Sequence, residues 1–80
     1  MERDLAKHVV IVGFGAMRDL ANLLELIKPH CDEAEYAAYA RSVAAISGAI
    51  SQQLIDNAIA SHPDLEAEMD AKIKRYGKLI

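Results

Sequence analysis

Apolar side chains recur at every third or fourth position through the first third of the chain. They occupy one helical face, at Leu5, Val9, Val12, Ala16, Leu20, Leu23 and Ile27. This spacing follows the period of about 3.6 residues that is typical of an amphipathic helix. Pro29 disfavours helical geometry at the residue before it. The pattern therefore predicts a first helix over residues 3–28, with His30 and Cys31 in the turn that follows.

A second helical pattern begins at Asp32, whose side chain is suited to cap the first turn while Glu35 completes a capping box. Its large apolar residues are Tyr36, Tyr39, Val43, Ile46, Ile50 and Leu54. The same segment carries a stripe of small residues, namely Ala37, Ala40, Ala44, Gly48 and Ser51. Because small side chains let two helices approach closely, we expect this stripe to face another helix. The predicted second helix covers residues 32–60.

A third helix is predicted over residues 63–78, after a break at Ser61 and His62. Pro63 suits the first turn of a helix, where a missing N–H costs nothing. Apolar residues follow at Leu65, Met69, Ile73, Tyr76 and Ile80. Acidic residues come first and basic residues last, which matches the helix dipole.

These elements predict an all-α protein with a single domain over residues 1–80. At about 1.5 Å per residue, the first two helices are each about 40 Å long, and the third is about 24 Å. We expect the long helices to form an antiparallel hairpin with an open apolar flank that the third helix is too short to cover. The pattern leaves open whether the first helix bends at Gly13 and Gly15, and whether the third helix is exchanged between chains.

Self-association is the expected source of additional stability. Chains of about 80 residues seldom build a sufficient core alone, and the single Cys31 excludes an internal disulfide. We therefore predict a homodimeric helical bundle with close contacts at small and β-branched positions. The predicted interface residues are Val9, Val12, Gly13, Ala16, Ala37, Ala40, Ala44, Gly48 and Ser51.

Charge and hydropathy bear on partners and location. The net charge is −3, and no basic patch indicates a nucleic-acid partner. The apolar run from Val9 to Met17 is shorter than the roughly 20 residues of a membrane span, and the charges of mixed sign before it do not fit a signal peptide. A single cysteine fits a cytoplasmic location.

The segment from His8 to Arg18 has the glycine spacing of a dinucleotide-binding turn. Gly13 and Gly15 occupy the first two glycine positions, but Arg18 stands at the third, where close helix–strand packing needs a very small residue. A second strand with an acidic residue is also missing from the pattern. We interpret the glycines as helix contacts and expect no cofactor.

The turn between the first two helices collects residue types that bind metals or act as nucleophiles. His30, Cys31, Asp32, Glu33 and Glu35 are close in sequence, but adjacent residues seldom converge as the four ligands of a zinc site. His30 is next to Cys31 without the geometry of a catalytic pair. We interpret the cluster as a capped turn and expect no catalytic residue.

The segment from Asp32 to Leu65 resembles small bacterial helical proteins of unknown function that end an amphipathic helix in a His-Pro-x-Leu turn. The matching residues are Gly48, His62, Pro63 and Leu65. The resemblance implies a bacterial source and no assigned activity, and it carries over no functional residues. We expect a non-catalytic interaction or structural protein. One alternative is a bundle that binds a small ligand or metal through Tyr36, Tyr39, His30 and Cys31, and another is an adaptor for a different protein.

Overall fold

The computed structural model describes residues 1–77 and confirms the all-α prediction. Its elements in chain order are α1 (Arg3–Ile27), a 3-10 turn (Lys28–His30), α2 (Glu33–Ile50), a π-helical segment (Ser51–Ile55), α3 (Asp56–Ser61) and α4 (Asp64–Tyr76). No strand occurs among residues 1–77. The end of the predicted third helix at residue 78 and the predicted apolar position Ile80 lie outside the described residues.

Local side-chain chemistry explains the turn between α1 and α2. Pro29 lies in the 3-10 turn that follows the last residue of α1. The Asp32 carboxylate accepts a hydrogen bond from the Glu35 amide at 2.8 Å, and the Glu35 carboxylate accepts one from the Asp32 amide at 3.2 Å. Two otherwise unpaired helix amides are thus satisfied at the start of α2.

The buried core lies at one end of the molecule. Its apolar residues are Ala6 and Val10 of α1, Ile55 of the π-helical segment, Ala58 of α3, and Leu65 and Met69 of α4. No residue between positions 14 and 54 is buried. We call this the core end, and the opposite end, where residues 28–32 join α1 to α2, the turn end.

Gly13 allows a close approach between α1 and the segment that follows α2. A methyl group at Gly13 would lie 2.9 Å from Cγ1 and 3.2 Å from Cδ1 of Ile55, and 3.5 Å from Cγ2 of Ile50. A methyl group added at Gly15 would lie 3.7 Å from the Arg18 side chain. Helix α1 is continuous through both glycines. Gly13 allows close packing within the chain.

The π-helical segment divides what the sequence predicts as one helix over residues 32–60. The Asp56 amide donates to the Ser51 carbonyl, five residues back. Asn57 Nδ2 donates to the Gln53 carbonyl at 2.7 Å and satisfies an acceptor within this wider turn. Because a π-turn holds one residue more than an α-turn, the residues after it are rotated relative to a continuous α-helix. Ile55 thereby faces Gly13.

Ion pairs on the surface hold α4 against α1. Arg3 Nε lies 2.7 Å from Asp64 Oδ2, and Lys7 Nζ lies 2.7 Å from Glu68 Oε1. Arg3 also bonds to Glu68. Together with buried Leu65, these contacts place α4 beside the N-terminal half of α1.

Candidate interaction surface

The strongest electrostatic interactions in the described part of the chain belong to the contact between α1 and α4. Hydrogen bonds from Lys7 and Arg3 lower the pKa of Glu68 to about 2. The hydrogen bond from Arg3 lowers the pKa of Asp64, and those with Glu68 raise the pKa of Arg3 and of Lys7. All four groups stay ionised around neutral pH. Their arrangement is that of a surface ion-pair network that positions a helix.

The turn end has a shallow cavity of about 480 Å³. It is lined by Lys28, Cys31, Asp32, Glu33, Tyr36 and Ala37. Lys28 Nζ lies 5.8 Å from the centre of the Tyr36 ring, within the range of a cation–π contact. His30 and Tyr39 are not part of this lining. Within residues 1–77, no three histidine, cysteine or acidic side chains converge in a way that would hold a metal ion.

The dinucleotide-like segment is helical throughout. Residues 8–18 lie inside α1, so Gly13 and Gly15 do not form a strand-to-helix turn around a pyrophosphate. Gly13 is buried against Ile55. Gly13 therefore makes a direct packing contact, in line with the interpretation of the glycines as helix contacts.

Membrane insertion of a helix finds no support over the part of the chain that the structure covers. No helix there combines the length and the apolar content that a bilayer crossing requires.

The nine predicted interface residues differ in their exposure. Gly13 packs within the chain, and Val9, Ala16, Ala37, Ala40 and Ser51 are half-buried. Val12, Ala44 and Gly48 are exposed, and nothing lies within 4 Å of a methyl group added at Gly48. The interface stays a prediction, and its exposed members belong to α1 and to the small-residue side of α2.

The face of α1 that the chain buries differs from its predicted apolar stripe. The buried residues are Ala6, Val10 and Gly13, whereas Leu5, Val12 and Leu23 of the predicted stripe are 57%, 54% and 41% exposed. Neighbouring residues are about 100° apart around a helix, so the buried face is displaced by about one residue. A second apolar face of α1 consequently remains uncovered.

Three large side chains of α2 and the π-helical segment are similarly exposed. Tyr39 and Ile46 of α2 and Leu54 of the π-helical segment are 54%, 49% and 47% exposed. Tyr39 and Ile46 are seven residues apart and share a helical face. Leu54 follows after eight residues, and the extra residue of the π-turn keeps it on that side.

A groove at the core end brings Val9 of α1 next to Leu54 of the π-helical segment. It has a volume of about 250 Å³. Its lining residues are Met1, Val9, Gln53, Leu54, Asn57, Ala58 and Ser61. Val9 and Leu54 therefore face the same side of the molecule. Leu5, Val12 and Leu23 lie on the Val9 side of α1 by their helical spacing. We call the resulting surface the open flank, defined by Leu5, Val12, Leu23, Tyr39, Ile46 and Leu54.

The open flank accompanies an unusually large surface. The accessible area is 5591 Å², roughly 800 Å² more than the value of about 4,800 Å² for a compact monomer of this mass. The radius of gyration is 14.7 Å, against about 12 Å for a compact domain of this length. The chain is thus an elongated body, with extents of 44 × 26 × 15 Å.

Sequence reasoning named every residue of the open flank and expected an uncovered apolar flank, but it assigned the interface mainly to small residues. It missed the groove, because Leu54 and Val9 come together only through the π-helical segment. Neither the protein families nor the curated proteins nor the solved structures searched contain a match for this chain. The geometry of the open flank is therefore the basis for a functional proposal.

Proposed function

We propose that this chain is a small helical interaction protein without catalytic activity, which assembles with a second copy of itself. In this proposal α1 and α2 form an antiparallel hairpin, and two hairpins combine through their open flanks into a homodimeric helical bundle. The observation that carries the proposal is the position of the most regular apolar stripe in the sequence. That stripe supplies Leu5, Val12 and Leu23 to the surface, while the buried residues of the same helix are the smaller Ala6, Val10 and Gly13.

Burial energetics favour covering the open flank. Apolar area removed from water contributes about 25 cal/mol per Å², and each flank residue leaves about half of its side chain in contact with water. The small core of the chain does not cover these residues. A partner that covers them would therefore add stability.

The excess accessible area of the whole chain supports a second copy as the partner. A stable protein–protein interface of ordinary size buries about 800 Å² on each side, which is about the excess area of this chain over a compact monomer. The flank residues are also uncharged, so two copies of the same surface meet without placing like charges opposite each other.

The molar mass in solution tests the proposal. Size-exclusion chromatography with light scattering is expected to give twice the chain mass of 8.8 kDa. A mass of 8.8 kDa that does not change with concentration would contradict the proposal. Capture of a different protein by such a monomer would then support the adaptor function instead.

A pair of substitutions in α2 locates the interface. Ile46→Glu places a charge on the open flank and is expected to yield monomers, because an unpaired buried charge is strongly unfavourable. Ala44→Glu is the matched control, since Ala44 is also exposed and lies about 200° away around the helix. If Ala44→Glu gave monomers and Ile46→Glu did not, the interface would lie on the small-residue stripe.

A further inference from the structure

We infer that the second copy docks in reverse orientation, so that the turn end of each chain covers the core-end groove of the other. This inference rests on the proposed self-association. It adds which segment of the second copy contacts each end of the flank. Two inserted ends and two filled grooves then define one two-fold symmetric interface.

The receiving surface is the groove beside Val9 and Leu54. Its apolar lining includes Val9, Leu54 and Ala58. Its polar lining residues are Gln53, Asn57 and Ser61, and none of the lining side chains is charged. A recess of about 250 Å³ that is lined by apolar and uncharged polar side chains accommodates large apolar side chains of a protein partner.

The inserted surface is the turn end of the same flank. Leu23, Leu26 and Tyr39 are 41%, 68% and 54% exposed there, and they lie within seven residues of the turn at residues 28–32. No buried residue supports this end from within the chain. The exposed apolar side chains of this end are therefore available to fill a recess on a partner.

Two-fold symmetry leaves two orientations for a flank-to-flank dimer. In a symmetric dimer, each patch of one copy meets the patch of the other that the symmetry axis assigns to it. A parallel pair would join the two projecting ends and leave both grooves open. The reversed pair matches each projecting end with a groove, and therefore buries both kinds of surface twice. Shape complementarity thus favours the reversed pair.

Single-cysteine cross-linking distinguishes the two orientations. The background variant is Cys31→Ser, which removes the natural thiol. Leu23→Cys marks the turn end and Gln53→Cys marks the groove. The two variants are mixed, unfolded and refolded together, and then treated with a short bis-maleimide. We expect the mixture to give a covalent dimer that contains one chain of each variant. Neither variant treated alone is expected to give a covalent dimer.

The controls separate failure of the inference from failure of the proposed function. Each sample is first checked by light scattering. A dimeric mass with covalent dimers of Leu23→Cys alone, or with no covalent dimer in the mixture, would overturn the reversed orientation and leave self-association intact. A monomeric mass of the unsubstituted chain would overturn self-association and the orientation together.

Discussion

Gly13 and Gly48 are both helical glycines, and the structure predicts opposite effects when each is replaced by alanine. Alanine is favoured over glycine in a helix interior by about 1 kcal/mol. At Gly48 nothing lies within 4 Å of the added methyl group, so Gly48→Ala is expected to stabilise the protein by about that amount.

The same methyl group at Gly13 meets a tightly packed neighbour. It would lie 2.9 Å from Cγ1 of Ile55, a β-branched side chain with few alternative rotamers that is only 4% exposed. Forcing a methyl group into such a contact costs about 1–3 kcal/mol. After the gain in helix propensity, Gly13→Ala is expected to lower the free energy of unfolding by up to about 2 kcal/mol.

The difference between the two variants isolates the steric cost, because the gain in helix propensity is common to both. Urea unfolding followed by circular dichroism measures it, at one protein concentration because the stability of a dimer depends on concentration. The expected difference is about 1–3 kcal/mol, or several degrees to more than ten in Tm at about 4–8 °C per kcal/mol. Equal stabilisation by both substitutions would refute the close contact between Gly13 and Ile55.

Three further substitutions test other parts of the fold. Glu68 has a folded pKa of about 2 against an ordinary 4.5, so the unfolded chain binds more protons between these values. Stability should therefore fall as the pH drops below about 4.5. Urea midpoints measured across pH should show a weaker pH dependence for Glu68→Gln than for the parent. An unchanged pH dependence would exclude Glu68 as its source. Leu65→Ala removes a fully buried side chain and should cost about 2–5 kcal/mol, and a calorimetric Tm close to that of the parent would contradict its place in the core. Asp32→Ala should cost about 1 kcal/mol through the lost cap, whereas Glu33→Ala, which leaves the capping box intact, should melt close to the parent.

The ends of the helices were predictable because they depend on neighbouring residues. Pro29 stops α1, and the Asp32–Glu35 box starts α2, through contacts that span only a few positions in sequence. Pro63 likewise begins the turn into α4. Local chemistry of this kind needs no knowledge of what packs against the helix.

The buried face of α1 was not predictable from hydropathy. The run from Val9 to Val12 is apolar on two adjacent faces, so periodicity alone does not decide which face the chain buries. The chain buries Ala6 and Gly13, two small residues that contribute little to an apolar stripe but allow close approach. The large residues of the other stripe form the open flank.

The π-helical segment was also invisible to sequence reasoning. Its hydrogen bond from the Asp56 amide to the Ser51 carbonyl replaces an α-helical one without a distinctive residue such as proline or glycine. The π-helical geometry occurs together with the packing of Ile55 against Gly13, which is a tertiary contact. The candidate groove, which depends on the resulting rotation, was missed for the same reason.

The π-helical segment holds one residue more than an α-helical connection between α2 and α3 would need. Gln52 is exposed within it. Deletion of Gln52 would place Leu54 seven residues after Ile46, which is the spacing of a single α-helical face. The segment is then expected to close as an α-turn, with Leu54 still on the flank and Ile55 still at Gly13. A further inserted residue would instead turn everything downstream by about 100°. In this short segment, loss of one residue is therefore expected to be tolerated, whereas gain of one disrupts both surfaces at once.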